Sequence, residues 1–364
     1  MNPTDPALQL LIDRVESARS AGAQLCIRGG GTKDFYGETP LGEPLDTSVL
    51  EGISSHEPTE LVVTARCGTS LARLESVLAE KGQCLPFEPP HFAAGGTVGG
   101  MVAAGLAGPS RAVAGSVRDY VLGATLLNGR GEVLTFGGQV MKNVAGYDVS
   151  RLLAGSLGTL GVILEVSLKV LPIAPATATL RFQMSEVDAL RHINEWAGRP
   201  LPLNASAWWN GTLLVRLRGA LAAVNAAIAA MGGELIEPEH GTTFWLGLRD
   251  QNDDYFVKAA QAVASGAALW RVSVPPTAPP LDLPGEQLIE WGGAQRWVVS
   301  AAPAARVRDA ATRVGGHSTL FRAVDKSGGV FAPLQSPLDR IHRELKKAFD
   351  PAGVLNPGRL YPGL

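Results

Sequence analysis

The sequence predicts an α+β protein of two unequal regions and a short tail, and three observations lead there. Glycine is concentrated, with 16 glycines in the 67 residues 95–161 against 15 in the 168 residues 173–340. The strand-like runs of the first half are separated by glycine loops, where backbone must turn sharply or approach something closely. In the second half, apolar runs flank Asn210-Gly211 and Gly292-Gly293, and each pair is followed by a helical pattern. That rhythm belongs to ferredoxin-like units sharing an antiparallel sheet. Pro172 and Pro175 close a strand-like run and set a boundary, so the expected organisation is 1–172, 173–338 and a tail of 339–364.

Residues 6–21 carry Leu8, Leu11, Ile12, Val15 and Ala18 on one helical face, with Asp5 as cap, Pro6 in the first position and Gly22 as stop. A strand over 24–28 feeds directly into Gly29-Gly30-Gly31-Thr32-Lys33. A strand at 61–65 and a helix at 70–81, capped by Thr69 or Ser70 and stopped by Gly82, come next. Residues 117–127, 133–136 and 162–171 read as strands of an antiparallel sheet. The second region then gives a strand at 177–182, a helix at 185–197 and a hairpin of 206–209 with 213–217. A helix at 221–231, a hairpin of 287–291 with 296–300, a helix at 303–314 and a strand at 318–323 complete it. The proline-rich segment 275–284 reads as a linker between the two units. A last helix at 339–347 precedes Asp350-Pro351-Ala352-Gly353-Val354-Leu355-Asn356-Pro357-Gly358, whose prolines and glycines fix a non-helical path.

Composition removes several classes of function. At 46% apolar residues the 364-residue chain has ample core material and is not disordered. A net charge of −2 leaves no basic excess for nucleic acid. Cys26, Cys67 and Cys84 are scattered, so neither a disulfide framework nor an iron–sulfur or zinc site is encoded, and no metal is expected. The longest uncharged stretch, 89–110, contains six glycines and three prolines, a poor membrane span. The start of the chain lacks a basic segment before an apolar run. A soluble chain of the cytoplasm is the expectation.

The glycine loops carry the chemistry. The Rossmann spacing fails because position 34 is Asp34, and the P-loop spacing fails because Lys33 follows Thr32. Gly29–Lys33 alone is either a turn or a cradle of N–H groups for an anion, with Lys33 adding charge. Gly95-Gly96-Thr97-Val98-Gly99-Gly100 and Gly155-Ser156-Leu157-Gly158-Thr159-Leu160-Gly161 add two more loops. Three such loops on one region suit an elongated ligand with a pyrophosphate centre; the alternative is a glycine-rich fold of tight turns with no ligand.

Together, Ile27-Arg-Gly-Gly-Gly-Thr32, Gly96-Thr-Val-Gly-Gly100, Gly155-Ser-Leu-Gly-Thr-Leu-Gly-Val162 and the Asp350–Gly358 ending resemble the FAD-binding family of the vanillyl-alcohol oxidase or p-cresol methylhydroxylase (PCMH) type. The resemblance implies a two-lobed PCMH-type FAD-binding domain, a ferredoxin-like cap domain over the substrate and a tail returning to the FAD domain. The runs Ser116-Val-Arg-Asp119 and Met141-Lys-Asn-Val-Ala-Gly-Tyr-Asp148 look most like the FAD-binding subunit of bacterial glycolate oxidase. Carried over, Gly29, Gly30, Gly31 and Thr32 would offer N–H groups to the FAD pyrophosphate, with Gly96, Thr97, Gly99 and Gly100 on its other side. Gly158, Gly161 and Val162 would pass along the adenosine. Arg111, Arg118 and Asp119 are candidates near the ribose, the adenine or the loop scaffold, with Arg118 and Asp119 equally readable as a surface charge pair. Asn143, Tyr147 and Asp148 are candidates near the isoalloxazine, and Asn356 would approach the flavin from the tail.

Some relatives hold FAD covalently through a histidine in the first loop. None stands there in this sequence, and His91 is the nearest alternative, so FAD is expected to be non-covalent. The histidine and glutamate metal cluster of larger catalytic relatives is also missing; His317 is the one histidine to test, beside Asn143 and Tyr147, as a catalytic candidate. The resemblance therefore implies a flavin subunit of a glycolate oxidase complex. A larger homologous flavoprotein and an iron–sulfur subunit would be its partners and a small 2-hydroxy acid its substrate, in the cytoplasm or peripheral at the inner membrane through those partners. The alternatives are a self-sufficient FAD-dependent 2-hydroxyacid dehydrogenase and a structural subunit with a non-catalytic FAD. Tryptophans fill the second region, and Trp208-Trp209 is the pair expected to divide between core and an exposed or flavin-facing side.

Overall fold

Helix α1 (Pro6–Ala21) opens the computed structural model, which describes residues 4–138 and 148–364. Its start is fixed by the Asp5 carboxylate, which accepts from the Ala7 N–H at 2.9 Å, and its end by Gly22 at φ 65°. Leu8, Leu11, Val15 and Ala18 are its buried residues, on the face the spacing selects. Strand β1 (Leu25–Arg28) pairs in parallel with β2 (Glu43–Asp46), forming a small sheet under the first glycine loop. The sequence Glu-Pro-Leu-Asp has no alternation of apolar residues, so β2 is invisible to pattern reading.

The main sheet of this region is antiparallel and five-stranded. It uses β3 (Ile53–Glu57), β4 (Val62–Arg66), β6 (Val121–Leu127), β7 (Val133–Gly137) and β8 (Val162–Lys169), in the order β3-β4-β8-β6-β7. The short strands β5 (Gln83–Cys84) and β9 (Leu171–Pro172) pair beside it. Helices α2 (Leu71–Ala79) and α3 (Val98–Ala104) lie between β4 and β6 in the chain. They and α1 bury leucines and valines in one core with the sheet. Two single turns follow, α4 (Arg111–Ala114) and α5 (Val117–Tyr120). The expected strand over 117–127 therefore begins only at Val121. The Asp119 carboxylate accepts from the Ser116 N–H at 2.8 Å, and this capping box bends the first four residues into a turn.

The chain passes to a second sheet between Pro172 and Ala176. Eight antiparallel strands form it: β10 (Ala176–Gln183), β11 (Leu203–Trp209), β12 (Thr212–Gly219), β13 (Glu234–Ile236), β14 (Ala268–Ser273), β15 (Glu286–Glu290), β16 (Gln295–Ser300) and β17 (His317–Arg322). Their order is β13-β10-β12-β11-β15-β16-β14-β17. With α6 (Glu186–Ala197) and α7 (Leu221–Met231), the first four strands make a complete βαββαβ unit. The last four repeat its strand order with one crossover helix, α10 (Ala304–Arg313).

The segment 275–284 is not a linker between units. It replaces the missing first helix of the second unit, and Ala278, Leu281 and Leu283 plug that unit's core. Helices α8 (Pro238–Asp250) and α9 (Asp254–Ala264) join the units; neither they nor β14 had been anticipated. The hairpins around Asn210-Gly211 and Gly292-Gly293 form as expected, because all four residues take positive φ.

An apolar cluster joins the two regions. Tyr36, Ala104, Leu106 and Leu157 of the first region pack against Trp245, Tyr255, Trp297 and Phe321 of the second. Trp208 and Trp209 divide between the faces of the sheet: Trp208 packs against the α6–α7 core, Trp209 against the interface cluster.

Helix α11 (Leu338–Phe349) leads into the tail, which pairs Leu355 in parallel with Leu25 of β1. A buried clasp holds it there. The Lys346 ammonium donates to Thr159 O at 2.9 Å, Leu355 O at 2.6 Å and Asp350 Oδ2 at 2.7 Å. The Asp350 carboxylate also accepts from the Val354 and Leu355 N–H groups. Removing one partner leaves a buried charge unmatched, which costs ~3–5 kcal/mol. Lys346→Met is expected to lose about that much in urea unfolding; a loss below about 1 kcal/mol would contradict the clasp.

Candidate cofactor-binding site

The three glycine loops and the tail meet at one cleft of about 100 Å³. That volume takes a diphosphate-sized part of a long ligand rather than the whole of it. Gly29, Gly30, Gly31, Thr32, Thr97, Gly99, Gly100, Gly158, Gly161 and Asn356 line it, from the expected set. Gly96 stands just outside, its O accepting from the Leu71 N–H. Val162 is the first residue of β8 and points into the core.

Arg111, Arg118 and Asp119 do not line the cleft. Arg111 lies over the Trp291 ring at 4.6 Å, Arg118 is exposed, and Asp119 caps a turn. Asp148 pairs with Arg151 at 2.9 Å, also away from it. Asn143 and Tyr147 lie outside the described residues. His317 begins β17 opposite Ser273, and burial together with Arg271 pushes its imidazole below the usual range. His91 points its ring at the Glu75 carboxylate at 2.9 Å, and neither histidine lines the cleft.

Much of the glycine requirement comes from loop packing against loop, not from a ligand lying flat on the loops. A Cβ on Gly30 would fall 1.6 Å from Gly95 O, and one on Gly29 2.4 Å from Thr97 Oγ1. The so-called second loop is partly a helix: Gly99 and Gly100 are in the first turn of α3, and a Cβ on Gly99 would sit 2.6 Å from Cys67 Cβ. Asn356 acts as a strut between loops. Its Oδ1 accepts from the Ile27 N–H and its Nδ2 donates to Leu157 O, both at 2.6 Å. Sequence reading placed it near the flavin; the structure gives its amide to the backbones that form the cleft.

Three cations complete the lining: Arg28, exposed and paired with Asp34 at 2.8 Å, and two that are more deeply buried. Lys33, largely buried, has its ammonium pushed down to about 8 by desolvation, with Asp250 opposing. Arg359 donates through Nη2 to Asp34 O at 3.0 Å, while its buried Nη1 has no partner among the described residues. Arg359 had no signal beyond a basic residue one step after Pro357-Gly358. Backbone N–H groups with two desolvated cations, one of them orphaned, fit a doubly negative diphosphate. The donor set therefore fits the pyrophosphate of a dinucleotide.

This geometry defines a class: an α+β protein whose glycine loops and returning tail form a cleft with donors that suit the diphosphate of a dinucleotide such as FAD. A family model described as FAD binding domain matches residues 8–137. Over its whole length the chain belongs to the family of glycolate oxidase subunit GlcE. It is 47% identical over 356 residues to that protein of Escherichia coli (strain K12), covering 98% of each chain. A D-lactate dehydrogenase of Archaeoglobus fulgidus is 31% identical over 185 residues, 49% of this chain and 40% of that one. The fold is similar to that of an alkyldihydroxyacetonephosphate synthase, with a TM-score of 0.66 at 14% identity over 96% of this chain and 74% of that one. FAD is the cofactor of the chain, held without a covalent bond.

Two outcomes test the site. Asn356→Ala removes both struts and is expected to weaken FAD binding about tenfold or more by flavin-fluorescence titration; unchanged affinity would contradict the role. Lys33 is charged below its pKa of about 8 and neutral above it, so the free chain must take up a proton before that ammonium can face a phosphate at higher pH. FAD affinity is therefore expected to fall as pH rises from 7 to 10, and Lys33→Met to flatten that dependence; the same slope in both proteins would contradict it.

Proposed function

We propose that this chain is the FAD-binding subunit of a glycolate oxidase assembly, taking part in the oxidation of glycolate to glyoxylate and passing electrons to a partner iron–sulfur subunit. The observation that supports this reading best is full-length kinship with a glycolate oxidase subunit, joined to a cleft whose donors suit a diphosphate. The loops hold and orient the cofactor, and the cap sheet covers the interface beside it. Bound FAD supplies a two-electron acceptor for the hydrogen on the α-carbon of a 2-hydroxy acid. Three scattered cysteines encode no iron–sulfur site, which is compatible with an electron acceptor on another chain. The partners of this reading are a larger homologous flavoprotein and an iron–sulfur subunit. No helix of the described residues is long and apolar enough to cross a membrane; the reading places the subunit in the cytoplasm or at the inner membrane through its partners.

Anaerobic mixing of the FAD-loaded chain with glycolate tests the proposal. The flavin is expected to stay yellow with the isolated chain and to bleach when the partner subunits are added. Rapid bleaching of the isolated chain would favour a self-sufficient dehydrogenase instead, the reading that the partial likeness to a D-lactate dehydrogenase supports. A flavin that never changes redox state in the turning-over assembly would leave it a structural ligand.

A further inference from the structure

Strand β10 is left half-covered at one edge of the cap sheet. On one side all eight of its residues pair with β12; on the other only Thr179, Leu180 and Arg181 pair, with β13. No strand stands beside 176–178 among the described residues. A cavity of about 430 Å³ opens at this stretch, and it shares no lining residue with the cofactor cleft. All of 176–179 line it, although successive residues of a strand point to opposite faces. Its walls come from both faces too. Val224 and Ile228 of α7 pack on the Leu180 face, whereas Trp245 of α8 donates to Thr179 Oγ1 at 2.9 Å on the other. The cavity therefore exposes the strand edge-on, in a recess between two helices.

Backbone, apolar surface and charge in this recess all call for the same kind of occupant. An open strand edge offers N–H and C=O groups to another extended segment. Leu221, Leu235 and Leu246 line the cavity and are 62%, 56% and 46% exposed, so apolar side chains laid over them would leave water together with them. The Glu88 carboxylate accepts from Arg216 at 2.6 Å and from Arg218 at 3.1 Å, so one carboxylate answers two guanidiniums. Asp250 holds Arg249, the third arginine of the lining. Glu237 is exposed where β13 ends, and among the described residues no ion pair joins it to these arginines. Water screens Glu237, while the unanswered positive charge lies at Arg218, whose side chain is only 31% exposed.

We propose that this recess docks an extended segment of a partner chain. The segment adds to the sheet beside 176–178, sets apolar side chains against Leu221, Leu235 and Leu246, and brings a carboxylate to Arg218. A second copy of this chain fits less well, because its own β10 edge lies in the same recess and two recessed edges cannot meet. A free segment enters where a sheet cannot. Taking the partner to be a subunit of the oxidase assembly rests on the functional reading above.

Hydrogen exchange of the FAD-loaded chain, alone and assembled with the larger flavoprotein and the iron–sulfur subunit, tests this. Residues 176–179 and 234–236 are expected to gain protection on assembly. Leu246→Asp is expected to weaken assembly about tenfold or more, with FAD content and melting temperature preserved. Should that variant fail to fold, Arg218→Gln is expected to weaken assembly in the same direction and to flatten its salt dependence. An edge that exchanges as fast in the assembly as in the isolated chain, or a folded Leu246→Asp chain that assembles like the wild type, would overturn the proposal and leave the flavin-subunit reading standing. Protection that instead appears in the isolated chain as its concentration rises would overturn it in favour of a second copy. A wild-type chain that does not assemble at all would overturn both, since the proposal takes its partner from that assembly.

Discussion

Backbone touching backbone at Gly30 and Gly95 is the constraint on which the cleft depends. No side chain fits at Gly30, where a Cβ would meet the Gly95 carbonyl oxygen. Because they approach this closely, the first loop lines a common space with α3 and the third loop. A cleft built from backbone is rigid only if the loops cannot slide, since the glycines themselves resist little. Rigidity is supplied from the far end of the sequence, where Asn356 bridges two of the loops and the buried Lys346–Asp350 pair anchors Asn356's own segment. The last fifteen residues are thus part of the binding site's frame, although only Asn356 and Arg359 among them reach the cleft.

Charge follows the same logic. Lys33 and Arg359 are held partly out of water with incomplete pairing, an unfavourable arrangement in the empty protein and a favourable one once a dianion arrives. The energy withheld from folding is available to bind a dianion seated in the cleft.

Most of the architecture was legible in the sequence because its signals are local. Asp5-Pro6 with Gly22 bounds α1, Asn210-Gly211 makes a hairpin, and Gly232-Gly233 stops α7 at φ 66° and 86°. What escaped depended on distant partners. Strand β2 is a strand only because β1 lies beside it, and residues 117–120 form a turn because Asp119 reaches back to Ser116. Segment 275–284 looked like a linker until the strand order showed it standing where a helix belongs. For the site, spacing found the glycines and their need for close backbone approach, but not that the approaching group is often another loop. Arg111, Arg118 and Asp119 drew attention as charges near the motif, yet Arg111 lies over Trp291, Asp119 caps a turn and Arg118 is exposed, while Arg359 carried little local signal.

Backbone amide hydrogen exchange of the chain with and without FAD tests the central claim most directly. If four separate segments form one frame around the diphosphate, then 27–33, 96–100, 155–161 and 353–359 gain protection together when FAD binds. Protection confined to the first loop, with the tail exchanging as fast as before, would contradict the account.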